Sequence, residues 1–279
     1  MDTDAALTRA LSHADEGDWS GAATVLRDAL AEGDPEADLL CWLGVAEREL
    51  GMEGVAYERF KQALALDPQD PVILATAGNG LAAFDDPDAE SALRAAAMLG
   101  RDVPMARWTY GAYLTREGML PEARVELDAA LELAPDDATV HYESGVWHLT
   151  SADFDAGVAA LQRALDFDPD DGWARVVLGL ALVSAGRIDE ALPELDRGAR
   201  IRDDDAESQI AAALAFAAEG YEDAAWEMLE RGRLVAEGTD ALTVNEAEDR
   251  MNDSPEAALD LLRTTVAPSS LRERLGARP

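Results

Sequence analysis

Small and large residues alternate along this chain with a period of about 34 residues, and such a period is typical of stacked helical hairpins. The stretch from Ala37 to Asp70 shows the pattern most clearly. Apolar residues recur there at helical spacing in two segments, which Gly51 separates and Pro68 ends. The spaced positions are Leu40, Leu43, Gly44 and Glu47 in the first helix and Ala56, Phe60, Ala63 and Leu64 in the second. We therefore predict a two-helix hairpin in this stretch and wherever the pattern recurs.

Two columns of the pattern can be followed through most of the chain. The column of Gly44 continues as Gly78, Gly111, Gly145 and Gly179. The column of Phe60 continues as Leu26, Leu93, Leu127, Leu161, Leu195 and Leu229. A glycine allows two helices to approach closely, and a large apolar residue fills the space beside them. The fold class predicted from these columns is all-α.

These columns resemble those of the tetratricopeptide repeat family over about residues 3 to 239, with a decayed further unit after them. The resemblance implies an α-solenoid, wound as a right-handed superhelix, of about seven to eight helix-turn-helix units. The expected units are 3–36, 37–70, 71–103, 104–137, 138–171, 172–205, 206–239 and a degenerate 240–267. Residues 268–279 are expected to form a short helix and tail.

The charge of the chain limits the partners that it can bind. Its 57 acidic and 23 basic residues give a formal net charge of −34 over 279 residues. A field of this sign repels the phosphates of nucleic acids and of anionic lipid headgroups, so we expect neither as a direct partner. Two interpretations of the acidity remain open: adaptation of a halophilic organism to salt, and attraction of a basic protein partner.

The sequence also bears on location. Residues 1–17 have neither a basic start nor an apolar core, so no secretory signal is expected. No apolar run approaches the ~20 residues of a membrane span, so we expect no membrane insertion and a cytoplasmic chain. Cys41 is the only cysteine, which excludes an internal disulfide.

Residue types that could carry catalysis are few. The only histidines are His13, His141 and His148. They fall in columns on the packing side of the first helices, so structural roles are expected for them. The acidic loop 166–172 superficially resembles a calcium loop, but Asp171 stands where a glycine is needed and Val177 where a bidentate glutamate is needed. We therefore predict no enzyme activity, no cofactor and no metal site.

A binding groove is implied by the family resemblance, since the first helices of successive repeats line the concave surface where peptides bind. The residues in the corresponding columns are Cys41, Val45, Arg48, Asn79, Met105, Trp108, Thr115, Tyr142, Val146, Leu149, Trp173, Val176 and Leu180. This set is mostly apolar. It predicts a scaffold or adaptor that binds a peptide or partner helix; the alternative is a scaffold that assembles with other copies of the chain.

The aromatic residues Trp108, Tyr142 and Trp173 are predicted to form the centre of that groove. We call these three residues the aromatic stripe; the two alternatives to a binding role are that the superhelix closes over the stripe and that the C-terminal segment fills it. The last residues, SSLRERLGARP, carry Arg272, Arg274 and Arg278 against only Glu273, with Leu271 and Leu275 on one helical face. This tail is expected to cover the open end of the solenoid, or else to fold back onto the acidic body or meet a partner.

Overall fold

A computed structural model describes residues 3–276, and within that range the chain is helical without a single strand. Arg278, which the sequence places in the basic tail, lies outside the described residues. The helices group into two compact units, unit 1 from Met1–Ala134 and unit 2 from Pro135–Pro279.

Unit 1 consists of consecutive helical hairpins. Its helices are α1 (Thr3–Asp15), α2 (Trp19–Glu32), α3 (Ala37–Glu49), α4 (Glu53–Ala65), α5 (Pro71–Ala82), α6 (Asp88–Leu99), α7 (Pro104–Arg116) and α8 (Leu120–Leu133). The first helices of these hairpins, α1, α3, α5 and α7, contact one another in sequence order. We call the surface that these first helices form the first-helix face of unit 1.

Unit 2 continues the hairpins and then departs from them. Its helices are α9 (Ala138–Thr150), α10 (Phe154–Phe167), α11 (Gly172–Ser184), α12 (Ile188–Ile201), α13 (Ala206–Ala218), α14 (Glu222–Val235), α15 (Thr239–Asp253), α16 (Pro255–Leu261) and α17 (Ala267–Gly276). Its first-helix face is formed by α9, α11 and α13.

The hairpin turns follow from local backbone chemistry. Gly51 adopts a φ of 74° between α3 and α4, a left-handed conformation that favours glycine. Ala152 takes the equivalent place between α9 and α10 with a φ of 60°. Aspartates cap several of the first helices: the side chains of Asp70, Asp137 and Asp171 accept hydrogen bonds from backbone N–H groups of α5, α9 and α11. These caps satisfy donors that a helix N-terminus otherwise leaves free.

The predicted pairing of small and large residues is present inside each hairpin. A Cβ atom added to Gly78 would lie 2.9 Å from Cγ of Leu93, and one added to Gly145 would lie 2.9 Å from Cγ of Leu161. The space of a side chain on the first helix is therefore already occupied by the leucine of the second. This close packing explains why the column of Gly44 consists of small residues.

The end of unit 2 differs from the expected bounds. A short helix was expected to begin at residue 268, but α16 runs without interruption through a π-helical turn, Leu262–Val266, into α17. The expected boundary between residues 267 and 268 thus falls inside one continuous helical segment. A π turn has no repeat-like signature, so the sequence pattern could not show it.

Candidate functional site

The groove residues predicted in unit 1 divide into two groups. Val45, Asn79, Met105 and Trp108 are half-buried on the first-helix face, and Arg48 is exposed. Cys41 and Thr115 are buried instead, with 0% and 2% of their surface accessible. The Thr115 hydroxyl donates to the carbonyl oxygen of Gly111 one helical turn earlier at 2.8 Å. Only the first group can meet a partner directly.

Cys41 has a chemical environment that suppresses its reactivity. Its Sγ lies 3.8 Å from the carbonyl oxygen of Ile73, inside the apolar contact between α3 and α5. Burial, followed by the charges of Asp38 and Asp70, raises the pKa of the thiol to about 12. The charge of Arg48 acts in the opposite direction but does not outweigh them.

We expect Cys41 to react with a thiol reagent at pH 8 about a thousandfold more slowly in the folded chain than in urea, because the thiolate is the attacking species. The folded pKa is raised, so the unfolded state loses its proton first as the pH rises above 9.0, and folding is disfavoured in that range. Labelling followed by absorbance checks this. Equal rates with and without urea would contradict the buried position.

The groove residues predicted in unit 2 belong to its core. Tyr142, Val146, Leu149, Val176 and Leu180 are all buried in one apolar cluster, and only Trp173 keeps partial exposure. These residues were predicted to line an open groove, but the structure buries them. Neighbouring helices of unit 2 account for this burial.

Two of these residues pack inside their own hairpins. A Cβ atom at Gly157 on α10 would lie 2.6 Å from Cδ2 of Leu149, and one at Gly198 on α12 would lie 2.7 Å from Cγ2 of Val176. Leu149 and Val176 therefore face the second helix of their hairpin rather than an open surface. The small residue on the second helix is the sequence signal that could have indicated this.

The C-terminal segment covers part of this face. The π turn contacts both α11 and α13, and α17 packs against α11. Leu271 of α17 is 6% exposed and belongs to the same apolar cluster as Tyr142 and Leu180. At Trp173, where the guanidinium of Arg274 lies over the ring, the arrangement agrees with the alternative in which the C-terminal segment fills the aromatic stripe.

An arginine fixes α17 to this face. The Arg274 guanidinium donates from Nη2 to Asp205 Oδ2 at 2.7 Å and to Asp205 Oδ1 at 3.0 Å. Its Nε donates to the Ser270 hydroxyl at 3.0 Å, and that hydroxyl donates to Glu207 Oε2 at 2.8 Å. No pattern in the sequence indicates Asp205, Glu207 or Ser270 as site residues. The concentration of arginine in the tail of an acidic chain was the one available signal.

Trp173 completes this polar contact. Its indole Nε1 donates to the Tyr142 hydroxyl at 2.7 Å. The guanidinium carbons of Arg274 and Arg202 lie over the indole, 4.7 and 5.1 Å from the ring centroid, which is within the range of cation–π attraction. Trp173 therefore takes part in holding α17. We call the site formed by Trp173, Asp205, Glu207 and Ser208 the arginine pocket.

The pKa values of the two carboxyl groups in the pocket are shifted in opposite directions. Burial alone would raise the pKa of Asp205, but the charge of Arg274 and hydrogen bonds from Ser208 and Arg274 together lower it. Burial raises the pKa of Glu207, and the neighbouring Glu273 and Asp240 add to that increase. Arg274 Nη2 lies 2.7 Å from Asp205 Oδ2 and 3.5 Å from Glu207 Oε2, so Asp205 is the closer of its two carboxylate partners.

The histidines make local contacts. His13 Nδ1 lies 2.9 Å from Asp18 Oδ2, and His141 Nε2 lies 2.7 Å from the carbonyl oxygen of Pro135. Across residues 3–276, no three or more His, Cys, Asp and Glu side chains come together as a metal site would require. In the same range, no helix combines the length and the apolar character that a membrane crossing needs.

Comparison with known proteins agrees with the hairpin architecture. Two different family models, each described as a tetratricopeptide repeat, match the chain, one at residues 7–71 and the other at residues 148–215. No match was found among curated protein sequences.

Solved structures share the fold at low sequence identity. The APC/C hetero-tetramer Cut9–Hcn1 is similar with a TM-score of 0.71 at 19% identity, over 85% of this chain and 47% of that one. A tetratricopeptide repeat protein from Parabacteroides merdae is similar with a TM-score of 0.60 at 13% identity, over 92% and 98%. YrrB, described as a TPR protein with an unusual peptide-binding site, is similar with a TM-score of 0.50 at 21% identity, over 68% and 97%. This chain spans about half the length of the Cut9–Hcn1 chain that it matches.

Successive hairpins with closely packed glycine and leucine columns define an all-α solenoid of helical repeats, a class that generally serves as protein–protein interaction scaffolds. The repeat matches at residues 7–71 and 148–215 identify the family. The chain belongs to the tetratricopeptide repeat family.

Proposed function

We propose that the chain is an interaction scaffold whose unit 1 binds a peptide or partner helix on its first-helix face. The observation that carries this proposal is the partial exposure of Trp108 and Met105 on α7, beside Asn79 on α5 and Val45 on α3. Large, rigid aromatic side chains commonly dominate the energy of an interface. An apolar or aromatic-containing segment suits such a surface.

Unit 2 supports a helical occupant. Its own first-helix face accommodates α17, a ten-residue helix that contributes Leu271 to the apolar contact and Arg274 to the polar one. The first helices of the two units come from the same repeat pattern, so a helix in the corresponding position on unit 1 is chemically reasonable. The similar structure of YrrB is described as having a peptide-binding site, which adds support for this mode.

The test is photo-crosslinking from matched positions. A photoreactive phenylalanine analogue at Met105 on the first-helix face is expected to capture a partner from cells. The same analogue at Met98, which is 65% exposed on the second helix α6, is the control and is expected to capture none. Mass spectrometry identifies the adducts. Equal capture from both positions would reject the proposal, and adducts with the chain itself would favour self-assembly.

Trp108→Ala is expected to weaken binding of the captured partner by about 2 kcal/mol or more, since truncation of a central aromatic residue removes most of its contact area. The helical signal in circular dichroism should be retained, because Trp108 is only half-buried. Titration calorimetry with the identified partner measures the loss. An unchanged affinity would exclude Trp108 from the binding surface.

A further inference from the structure

The arginine pocket of unit 2 has the chemistry of a ligand site that is already occupied. Arg274 reaches it with only 4% of its side chain exposed, although arginine is among the residues least often buried. A buried guanidinium requires a paired carboxylate and further hydrogen-bond partners. Asp205, Ser208 and Ser270 supply these, and Trp173 supplies an aromatic surface.

The pocket suits a guanidinium better than an ammonium. One nitrogen of Arg274 contacts both carboxylate oxygens of Asp205 while another contacts Ser270, and the planar group lies near the Trp173 ring. A lysine ammonium could reach Asp205, but it is a compact point charge that offers neither a planar group to pack on the Trp173 ring nor a second nitrogen for Ser270 of the same helix. The pocket therefore selects an arginine on a helix.

The fit of Arg274 is incomplete. Its Nη1 is buried and has no hydrogen-bond partner among residues 3–276. A buried donor without a partner costs free energy. Burial also raises the pKa of Glu207 beside the pocket, as the neighbouring carboxylates Glu273 and Asp240 do. The contact of α17 with unit 2 is thus stabilising, but it leaves one nitrogen of the Arg274 guanidinium without a hydrogen-bond partner.

The backbone just before α17 contains a turn at which α17 could separate from the rest of unit 2. The π turn Leu262–Val266 changes the hydrogen-bond pattern between α16 and α17 within one continuous helical segment, and single π turns are frequent at functional sites. The ten residues of α17 form the end of that segment, and helix ends open at a lower free energy than the core of a unit. Opening from the π turn onward can therefore remain local.

The charge of the pocket defines what would replace α17. Without Arg274, the carboxylates of Asp205 and Glu207 would remain, with Asp240 close enough to interact with Asp205 and with Arg202 as the cation that bonds to Asp205 and lies over Trp173. This balance is negative, in a chain with a net charge of −34. Such a site attracts a cationic helix and repels an acidic one.

We propose that the face beneath α17 is a second binding surface, specific for a partner helix that carries leucine and arginine at the spacing of Leu271 and Arg274, and that α17 is the internal ligand that closes it. This site lies in unit 2 and does not depend on the proposed function of unit 1. A partner helix competes with a tethered segment, so binding requires either a higher affinity or a weakened α17.

The probe is a fluorescent synthetic peptide with the sequence of residues 262–276, LRTTVAPSSLRERLG, titrated into the full chain and followed by anisotropy. The Arg274→Ala chain is expected to bind it at least about tenfold more tightly than the unmodified chain, because the internal competitor is weakened. Adding Asp205→Asn, which retains the helix cap, should remove this gain. A peptide with lysine at the Arg274 position should bind more weakly.

Equal affinity of the unmodified and Arg274→Ala chains would overturn the proposal, as would a gain that survives Asp205→Asn. Hydrogen exchange on the unmodified chain decides the matter if a variant does not fold. Amides of α17 are expected to exchange at least about tenfold faster than those of α11, which requires local opening. Equal exchange in the two helices would mean that α17 opens only with the whole of unit 2, and would overturn the proposal. All of these readouts concern unit 2, so their failure leaves the proposal for unit 1 intact.

Discussion

Phe60→Ala is expected to destabilise unit 1 by about 3–5 kcal/mol, the usual cost of truncating a fully buried aromatic residue. Phe60 is 1% exposed. For a unit of this size, that loss corresponds to a decrease in melting temperature of about 10–20 °C. Thermal unfolding followed by circular dichroism measures the change in melting temperature, and urea titration measures the change in the free energy of unfolding.

The size of this effect follows from two close contacts of the Phe60 ring. A Cβ atom at Gly44 on α3 would lie 2.8 Å from Cε1 of the ring, and one at Gly80 on α5 would collide with Cε2. The ring therefore fills the space between its own hairpin and the next. Alanine would leave a cavity against glycines that carry no side chain to fill it.

Phe84→Ala is the matched control. Phe84 is 42% exposed and contacts Tyr57, with 4.9 Å between their ring centroids. Its truncation removes little buried surface, so a change within about 1 kcal/mol is expected. If the two variants melted at the same temperature, Phe60 would not have the bridging role that we assign to it.

Phe60 also shows what the sequence could predict. Its column of large residues, and the column of glycines that faces it, recur with the repeat period, and each contact lies within a hairpin or between adjacent hairpins. Contacts of this kind depend on local spacing alone. The all-α solenoid could be predicted for the same reason.

The fate of the aromatic stripe could not be predicted in this way. Tyr142 and Trp173 occupy first-helix columns, and nothing in the repeat distinguishes an open column from a covered one. Trp173 is covered by Arg274 of α17, which also forms an ion pair with Asp205, 69 residues away in the chain. A contact between distant, non-repeating segments leaves no periodic signal. The tail's arginines indicated the chemistry of this contact, but not its position.

Within the predicted groove, the register of the columns also limited what could be inferred. Val176 and Leu149 are apolar and fall at first-helix positions, yet they pack against Gly198 and Gly157 on the second helices. A residue at such a position faces its own hairpin when the opposite residue is small enough to admit it. To predict the direction of these side chains, each first-helix position has to be compared with the residue opposite it on the second helix.

Trp173→Ala is expected to destabilise unit 2 by about 3 kcal/mol and to release α17. The change removes the hydrogen bond that the indole donates to Tyr142, and it removes the ring on which the Arg274 guanidinium rests. The melting temperature of unit 2 and hydrogen exchange of residues 267–276 measure the two effects.

Trp173→Phe separates the contributions of the ring and its N–H group. The phenyl ring retains an aromatic face for Arg274 but cannot donate to Tyr142, so a loss smaller than that of the alanine variant is expected. Trp108→Ala in unit 1 is the matched comparison, because Trp108 was assigned to the same stripe. It is expected to affect partner binding more than stability. Were Trp173→Ala to leave both the melting temperature and the exchange of α17 unchanged, Trp173 would not anchor α17, and the stripe in unit 2 would again be a candidate for an open binding surface.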